Sequence, residues 1–271
     1  MARINLVLSS YAQIYLVGLI AILLAIVLQL FLSTAIEPTG GNITEIRTET
    51  APNDTAGQHE AQAGNITELN IEGYSTTQSW QGYFGNITGT IQLADASSDV
   101  LYNWSLADPE GEVYASANET ISWSNIQCLN FTSTGTRAGG ETPGGTSLFG
   151  TNLSQLEAEY SINSSDVDGV NETFSDSNSH VAFYSANLEF EAGECVSADI
   201  FDNSGKSTDG NFEEVLLYEP TTASVIFTAL IEPGSVAGYD GQDYDFEMLV
   251  LEDGHGADID TTTYFFFVEL E

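Results

Sequence analysis

The sequence predicts an all-β ectodomain, an antiparallel sandwich of immunoglobulin-like or jelly-roll type, behind a single N-terminal transmembrane helix. Three observations support this prediction. Short segments of alternating apolar and polar residues recur to the C-terminus, turns rich in Gly and Asx residues separate them, and long helical periodicity is confined to an apolar N-terminal run. Many short strands joined by such turns are typical of antiparallel sandwiches.

The N-terminal run predicts a membrane anchor. No charged residue occurs between Ile4 and Ile36, and the densest apolar part, Ile14 to Ile36, spans 23 residues. As a helix it is about 35 Å long, enough to cross a hydrocarbon core of about 30 Å. A cleaved signal peptide has a shorter apolar region, which favours the anchor. Arg3 is the only charge on the short side and predicts a cytoplasmic N-terminus at residues 1–13.

The exported part is strongly acidic. The chain has 40 acidic residues against 4 basic ones, a net charge of −36, and every acidic residue follows Ile36. Such a polyanion repels nucleic acid and anionic lipid headgroups, so neither is an expected partner. At about 1 M salt the Debye length is about 3 Å, so the repulsion between the carboxylates is screened. At about 0.01 M salt the Debye length is about 30 Å, and the repulsion is not screened. The composition therefore predicts very salty surroundings and, with 42% hydrophobic residues, a folded chain.

Asn-x-Ser/Thr sequons predict a glycoprotein. All of them lie beyond the apolar run and none follows Asn171, so we interpret many as glycan acceptors on an exported face. The ten asparagines are Asn42, Asn53, Asn65, Asn86, Asn103, Asn118, Asn130, Asn152, Asn163 and Asn171. Residues 37–64 show no period of 2 or 3.6 and predict a glycosylated stalk, and residues 65–271 predict the extracellular domain.

The first strands of that domain predict a hairpin. Ile87 to Leu93 and Val100 to Trp104 alternate, with Ala96–Asp99 as the turn between them. A Gly-, Ser- and Thr-rich stretch, residues 132–179, predicts a long excursion within one domain. The later predicted strands are His180–Phe190, Cys195–Phe201, Glu213–Tyr218, Ala223–Ile231, Tyr244–Glu252 and Thr263–Leu270.

The two cysteines, Cys128 and Cys195, predict a disulfide because the domain is exported; two free buried thiols are the alternative. Trp80, Tyr83 and Phe84 lie just before the predicted hairpin. They predict either a plug at one end of the sandwich, which is the favoured interpretation, or a flat platform for stacking sugars.

Calcium is the one ligand with support in the sequence. Asp240, Asp243 and Asp245 surround a glycine turn at the start of a predicted strand, where several oxygens could converge on a hard cation. The alternative is an acidic surface with no specific site. Two weaker acidic groups are Asp166, Asp168, Asn171 and Glu172, and Glu252, Asp253, Asp258 and Asp260.

Catalytic motifs are missing from the sequence. The "SGKST" segment, Ser204 to Thr208, lacks the first glycine of a phosphate loop because Ile200 stands there, so Lys206 is interpreted as a loop charge. The three histidines are scattered, and no H-E-x-x-H or G-x-S-x-G motif occurs. The sequence therefore predicts no catalysis, no catalytic residue and no cofactor apart from candidate calcium.

Two resemblances bear on identity. The segments Trp80–Trp104, Gly111–Ser116 and Ile121–Cys128, with the C-terminal residues 238–270, resemble uncharacterised archaeal cell-surface β-domain proteins of halophile type, which carry a W-x-G-Y-F-G-N motif. This resemblance implies an exported β-rich domain and brings no activity. Residues Tyr11–Leu28 resemble the start of archaeal pilin-like precursors, although Ala12 replaces the usual glycine and no basic residue is adjacent.

The combined prediction is a membrane-anchored surface glycoprotein with a structural, adhesive or interaction role. The alternatives are a pilin-like subunit of an extracellular filament and a carbohydrate-binding surface domain. Expected partners are the membrane through the N-terminal helix and other surface proteins, glycans or copies of the same chain.

Overall fold

The structure is a computed structural model that describes residues 37–129, 153–174, 180–234, 236–252 and 261–270. The chain divides between Ile36 and Glu37 into two units, and the described residues lie in the second. The predicted anchor Ile14–Ile36 and the cytoplasmic residues 1–13 lie outside the described residues. None of the helices in the described ranges is both long enough and apolar enough to span a bilayer.

Strands dominate the described residues, and every strand pair is antiparallel, which confirms the predicted all-β class. The strands are β1 (Thr39–Gly40), β2 (Trp80–Gly85), β3 (Thr90–Ala94), β4 (Val100–Ser105), β5 (Gly111–Ser116), β6 (Gln127–Cys128), β7 (Phe183–Ser185), β8 (Leu188–Phe190), β9 (Ser197–Asp199), β10 (Glu213–Glu219), β11 (Ser224–Leu230), β12 (Val236–Ala237), β13 (Asp243–Tyr244), β14 (Phe246–Leu251) and β15 (Phe265–Leu270). The helices are a 3-10 turn (Trp123–Asn125), α1 (Leu153–Glu159) and α2 (Val170–Thr173).

A seven-stranded sheet forms the centre of the domain, in the order β1-β15-β5-β11-β10-β6, with β9 also paired to β10. Its middle strands are apolar on both faces. Along β10, Val215 and Leu217 point to one core cluster and Leu216 and Tyr218 to the other. Because successive side chains alternate between faces, such a strand is stable only where both faces of the sheet are covered.

One face is covered by a β-ribbon and two short helices. Strands β2 and β14 pair over six residues, from Trp80 opposite Leu251 to Gly85 opposite Phe246, and β14 packs across β10 and β11. Leu156 of α1, Val170 of α2 and Phe174, which directly follows α2, belong to the same core cluster. Both helices lie within the predicted excursion 132–179, whose residues 132–152 and 175–179 lie outside the described residues.

The opposite face is covered by the β7–β8 hairpin and the 3-10 turn. The rings of Phe183 and Phe190 stack at 5.0 Å between centroids, and Trp123 packs against Tyr114 of β5. Strands β6 and β9 both pair with β10, so Cys128 on β6 and Cys195, two residues before β9, lie with their Cα atoms 5.1 Å apart. The predicted disulfide between these cysteines is present.

The single strand predicted for His180–Phe190 is instead the β7–β8 hairpin. Ala186 has a φ of +54°, a left-handed conformation that reverses the chain between the two strands. The hairpin predicted for Ile87 to Trp104 is confirmed as β3 and β4, with its turn after Asp95.

Candidate functional site

The sequon asparagines form the candidate functional surface. Eight of the ten lie in the described residues, and Asn130 and Asn152 lie outside them. Seven of these eight side chains are exposed, as a glycan acceptor must be. They are Asn42, Asn53, Asn65, Asn86, Asn103, Asn163 and Asn171. They lie on the extended segment 41–79, at the C-terminal end of β2, on β4 and around α2.

Asn118 differs from the other described sequon asparagines because it is half-buried and its amide binds a buried side chain, that of Ser224. Its Nδ2 donates to Ser224 Oγ at 2.9 Å, and its Oδ1 accepts the Thr120 N–H at 2.9 Å. The nitrogen that a glycan must join is therefore used inside the protein.

The three predicted calcium ligands have different partners. Asp240 is bonded to Arg47, Tyr244 and the Gln242 N–H, whereas the buried Asp245 accepts the Ile87 N–H at 2.7 Å. Asp243 is exposed on β13. Within the described residues no group of three or more His, Cys, Asp or Glu side chains is arranged to hold a metal ion. Of the weaker acidic groups, Asp253, Asp258 and Asp260 lie outside the described residues.

Asp240 instead belongs to a tether that joins the predicted stalk to the domain. Arg47 Nη2 lies 2.9 Å from Asp240 Oδ2, and the guanidinium lies 5.5 Å from the centroid of the Phe84 ring. Tyr239 and Tyr244 pack on the same ring. The Gln242 N–H, Tyr244 and Arg47 together lower the pKa of Asp240.

Sequence reasoning did not identify this role of Arg47. The usable signal was its rarity, since only Arg47, Arg137 and Lys206 are basic after Ile36.

The three aromatic residues before the hairpin contact three different parts of the domain. The Trp80 ring packs on Phe174, Tyr83 meets Phe266 edge to face at 5.1 Å, and Phe84 joins the Arg47 tether. Trp80 and Tyr83 pack against the main core cluster, as the plug interpretation predicts.

A loop aspartate fixes the start of β2. The Trp80 Nε1 donates to the Asp168 carbonyl oxygen at 2.7 Å, and Thr77 Oγ1 donates to the Asp168 carboxylate at 2.5 Å. An open cleft of about 250 Å³ lies beside them, lined by Thr77, Gln78, Trp80, Gln81 and Glu252. This lining has one carboxylate, that of Glu252, and one hydroxyl, that of Thr77, which donates to Asp168.

Several carboxylates are buried in the central sheet. Tyr114 donates towards Glu269 Oε2 at 3.1 Å and lies within 3.4 Å of Glu112 Oε2, and burial raises the pKa of its hydroxyl well above the usual value. Burial also raises the pKa of Glu214, whose Oε2 accepts the Leu249 N–H. Glu214 lies in the central sheet, where burial disfavours its charged form.

Comparison with family models, curated proteins and solved structures finds no match for this chain. The resemblances to archaeal surface proteins and to pilin-like precursors therefore stay predictions.

Proposed function

We propose that this protein is a cell-surface glycoprotein of a salt-adapted archaeon, anchored by Ile14–Ile36 with its β domain outside the cell. Its role is structural or adhesive, and it performs no catalysis. The observation that carries the proposal is the exposure of seven sequon asparagines on a domain with a disulfide. A sandwich of immunoglobulin-like or jelly-roll type is our finer proposal for the fold, supported by the β2–β14 layer across the central sheet.

The acidic surface supports the same proposal. Arg47 and Lys206 are the only arginine and lysine in the described ranges, and Arg47 lies within 4 Å of two carboxylates, those of Glu49 and Asp240. A surface crowded with carboxylates stays hydrated and soluble in concentrated salt, where its self-repulsion is screened.

Protease treatment of intact cells tests the topology. We expect the tagged β domain to be released from intact cells and the N-terminal segment to stay with the membrane fraction. A β domain that is degraded only after the cells are lysed would overturn the proposal. Immunoelectron microscopy of the same tag distinguishes the two alternatives. Label spread evenly over the cell envelope indicates an anchored surface protein, whereas label along thin fibres indicates a filament subunit.

Glycopeptide mass spectrometry of the full chain tests the glycan surface. We expect glycans at exposed sequons such as Asn86 and Asn103, and none at Asn118. The variants Asn86→Gln and Asn103→Gln should each increase gel mobility, whereas the matched control Asn118→Gln should leave it unchanged. Unmodified peptides at all seven exposed sequons would contradict the proposal.

A further inference from the structure

The β3–β4 hairpin carries an uncovered apolar face. Ile91 lies opposite Trp104 and Leu93 opposite Tyr102, so these four side chains share one face of the ribbon. Their exposed fractions are 37%, 50%, 51% and 58% in the order Ile91, Trp104, Leu93, Tyr102. The rings of Tyr102 and Trp104 pack against each other at 4.9 Å between centroids. Every residue of both strands is exposed.

The hairpin has a fixed base on the domain. On the entering side the Ile87 N–H donates to the buried Asp245, and Gly89 lies so close to Leu270 that a Cβ there would collide with it. On the leaving side Gly111 has a φ of +119° and lies against the Glu269 carbonyl. The ribbon therefore projects from an anchored base and is not a frayed loop.

A two-stranded ribbon needs a covering layer. An isolated hairpin is at best marginally stable in water, and stability requires further strands or a packed face. In the described residues β3 and β4 pair only with each other. The missing layer must therefore come from outside the part of the domain that the structure describes.

The charge pattern indicates what kind of layer fits. Neither strand contains an acidic or basic residue, although the chain as a whole carries a net charge of −36. The nearest acids, Asp95 and Asp99, lie in the turn, where the Asp95 carboxylate accepts the Ser97 and Asp99 N–H groups. A polyanion that meets another copy of itself encounters the least repulsion on such a neutral face.

The opposite face of the ribbon is mainly polar, with the exposed Leu101 at the register shift, and it bears the sequon at Asn103, paired with Gln92. A glycan there would extend away from the apolar face and leave it accessible.

We propose that this apolar face binds the same face of a second copy of the chain. Two ribbons packed in this way form a small four-stranded sandwich with a dry centre. The four half-exposed side chains offer on the order of 400 Å² per copy, or about 800 Å² in a pair, judged from the area that aromatic side chains bury. A standard interface of about 1,600 Å² contains about 900 Å² of apolar area, so this face defines a contact slightly smaller than standard, a weak pairing between copies held at the same surface.

Cysteine cross-linking of the full chain in cell membranes tests the contact. Both native cysteines are in the disulfide, so Leu93→Cys adds the single reactive thiol. Two tagged forms are expressed together and oxidised, and the probe is the second tagged copy. We expect a reducible dimer that contains both tags. Gln92→Cys is the matched control, since it lies on the same strand and points to the polar face; it should give at least 10-fold less dimer.

A second variant distinguishes specific pairing through the apolar face from random encounters between chains and from misfolding. Trp104→Glu adds a carboxylate to each facing surface and should abolish the Leu93→Cys dimer, whereas the unfolding midpoint should be unchanged because the ribbon lies outside the core. Equal dimer from Leu93→Cys and Gln92→Cys, no dimer from either, or an adduct that contains only one tag would each overturn the proposal. This proposal rests on the proposed function only because the surface location places copies of the chain side by side. The two can be tested separately, since the protease experiment tests the surface location and the cross-linking experiment tests the pairing.

Discussion

Arg47 donates a hydrogen bond of 2.9 Å to Asp240, a residue 193 positions further along the chain. The contact fastens the extended segment 41–79, which has no regular strand or helix, to the surface beside β2 and β13. It also uses the carboxylate that the sequence predicts as a calcium ligand. One of the few cations in the chain thus occupies the place where a metal ion was expected.

Arg47→Ala should loosen the extended segment without unfolding the domain. An exposed ion pair contributes little to global stability, but this pair and the Phe84 ring hold the segment locally. We expect proteolysis within residues 41–79 to accelerate roughly two- to five-fold, the range typical of an exposed pair. Glu49→Gln is the control, because Glu49 lies 3.5 Å from Arg47 and is more exposed. Unchanged cleavage in Arg47→Ala would contradict the tether.

Calcium binding at Asp240 should compete with Arg47. A cation that binds this carboxylate must displace the guanidinium, so Arg47→Ala should bind calcium more tightly than the natural chain in a calorimetric titration. Asp240→Asn in the Arg47→Ala background should lose that gain. Equal calcium affinity in the natural chain and Arg47→Ala would show that Asp240 takes no part in binding calcium.

The strands of the central sheet were predictable because their residues form continuous apolar or alternating runs. The segments Glu213–Tyr218 and Ala223–Ile231 were predicted within one residue of β10 and β11. The hairpin at Ile87 to Trp104 was predictable because two alternating segments flank the turn-forming residues Ala96–Asp99. Local sequence therefore carries most of the information on the strands.

Features that depend on distant residues were not predictable. The turn at Ala186 has no turn-forming residue in the left-handed position, so His180–Phe190 was predicted as one strand. The Arg47–Asp240 pair joins residues that no local pattern connects. Alternation predicted that Ile91 and Leu93 share an apolar face, but a sequence cannot show whether a second layer covers that face.

The disulfide should contribute substantially to stability. It closes a 67-residue separation, for which loop entropy corresponds to about 4 kcal/mol. We expect Cys128→Ser with Cys195→Ser to lower the free energy of unfolding by about 2–4 kcal/mol, measured by denaturant titration in concentrated salt. The double variant avoids an unpaired thiol. Two thiols titrating in denatured, unreduced natural protein would contradict the bridge.

Stability should rise as the pH falls from about 8 to 5. Burial raises the pKa of Glu247 to about 7, with the Asp240 and Asp202 charges adding to the rise and the Tyr239 N–H opposing it. A carboxyl whose folded pKa is raised stabilises the fold below its unfolded pKa and loses that contribution as the pH rises through 7. Burial raises the pKa of Glu213 and Glu232 in the same direction.

Glu247→Gln isolates this effect, because a glutamine carbonyl can still accept the Tyr239 N–H. Denaturant titrations at several pH values should show a smaller pH slope in this variant, while the exposed Glu68→Gln keeps the natural slope. The lowered pKa of the buried His180 opposes the trend below pH 6.5, so the window from pH 6.5 to 8 is the decisive one. An equal slope in both variants would rule out Glu247 as the source.

Removal of salt should unfold the domain. With a net charge of −36 and only four Lys and Arg residues in the chain, carboxylate repulsion works against the stability supplied by the core, the hydrogen bonds and the disulfide. Lowering salt from about 1 M to 0.01 M extends the Debye length from about 3 Å to about 30 Å, so repulsion then acts across the whole domain. Circular dichroism should show cooperative loss of the strand signal, and an equal osmolarity of sucrose should restore it less than salt does. A domain that stays folded in dilute, calcium-free buffer would refute the salt-adapted interpretation of the composition.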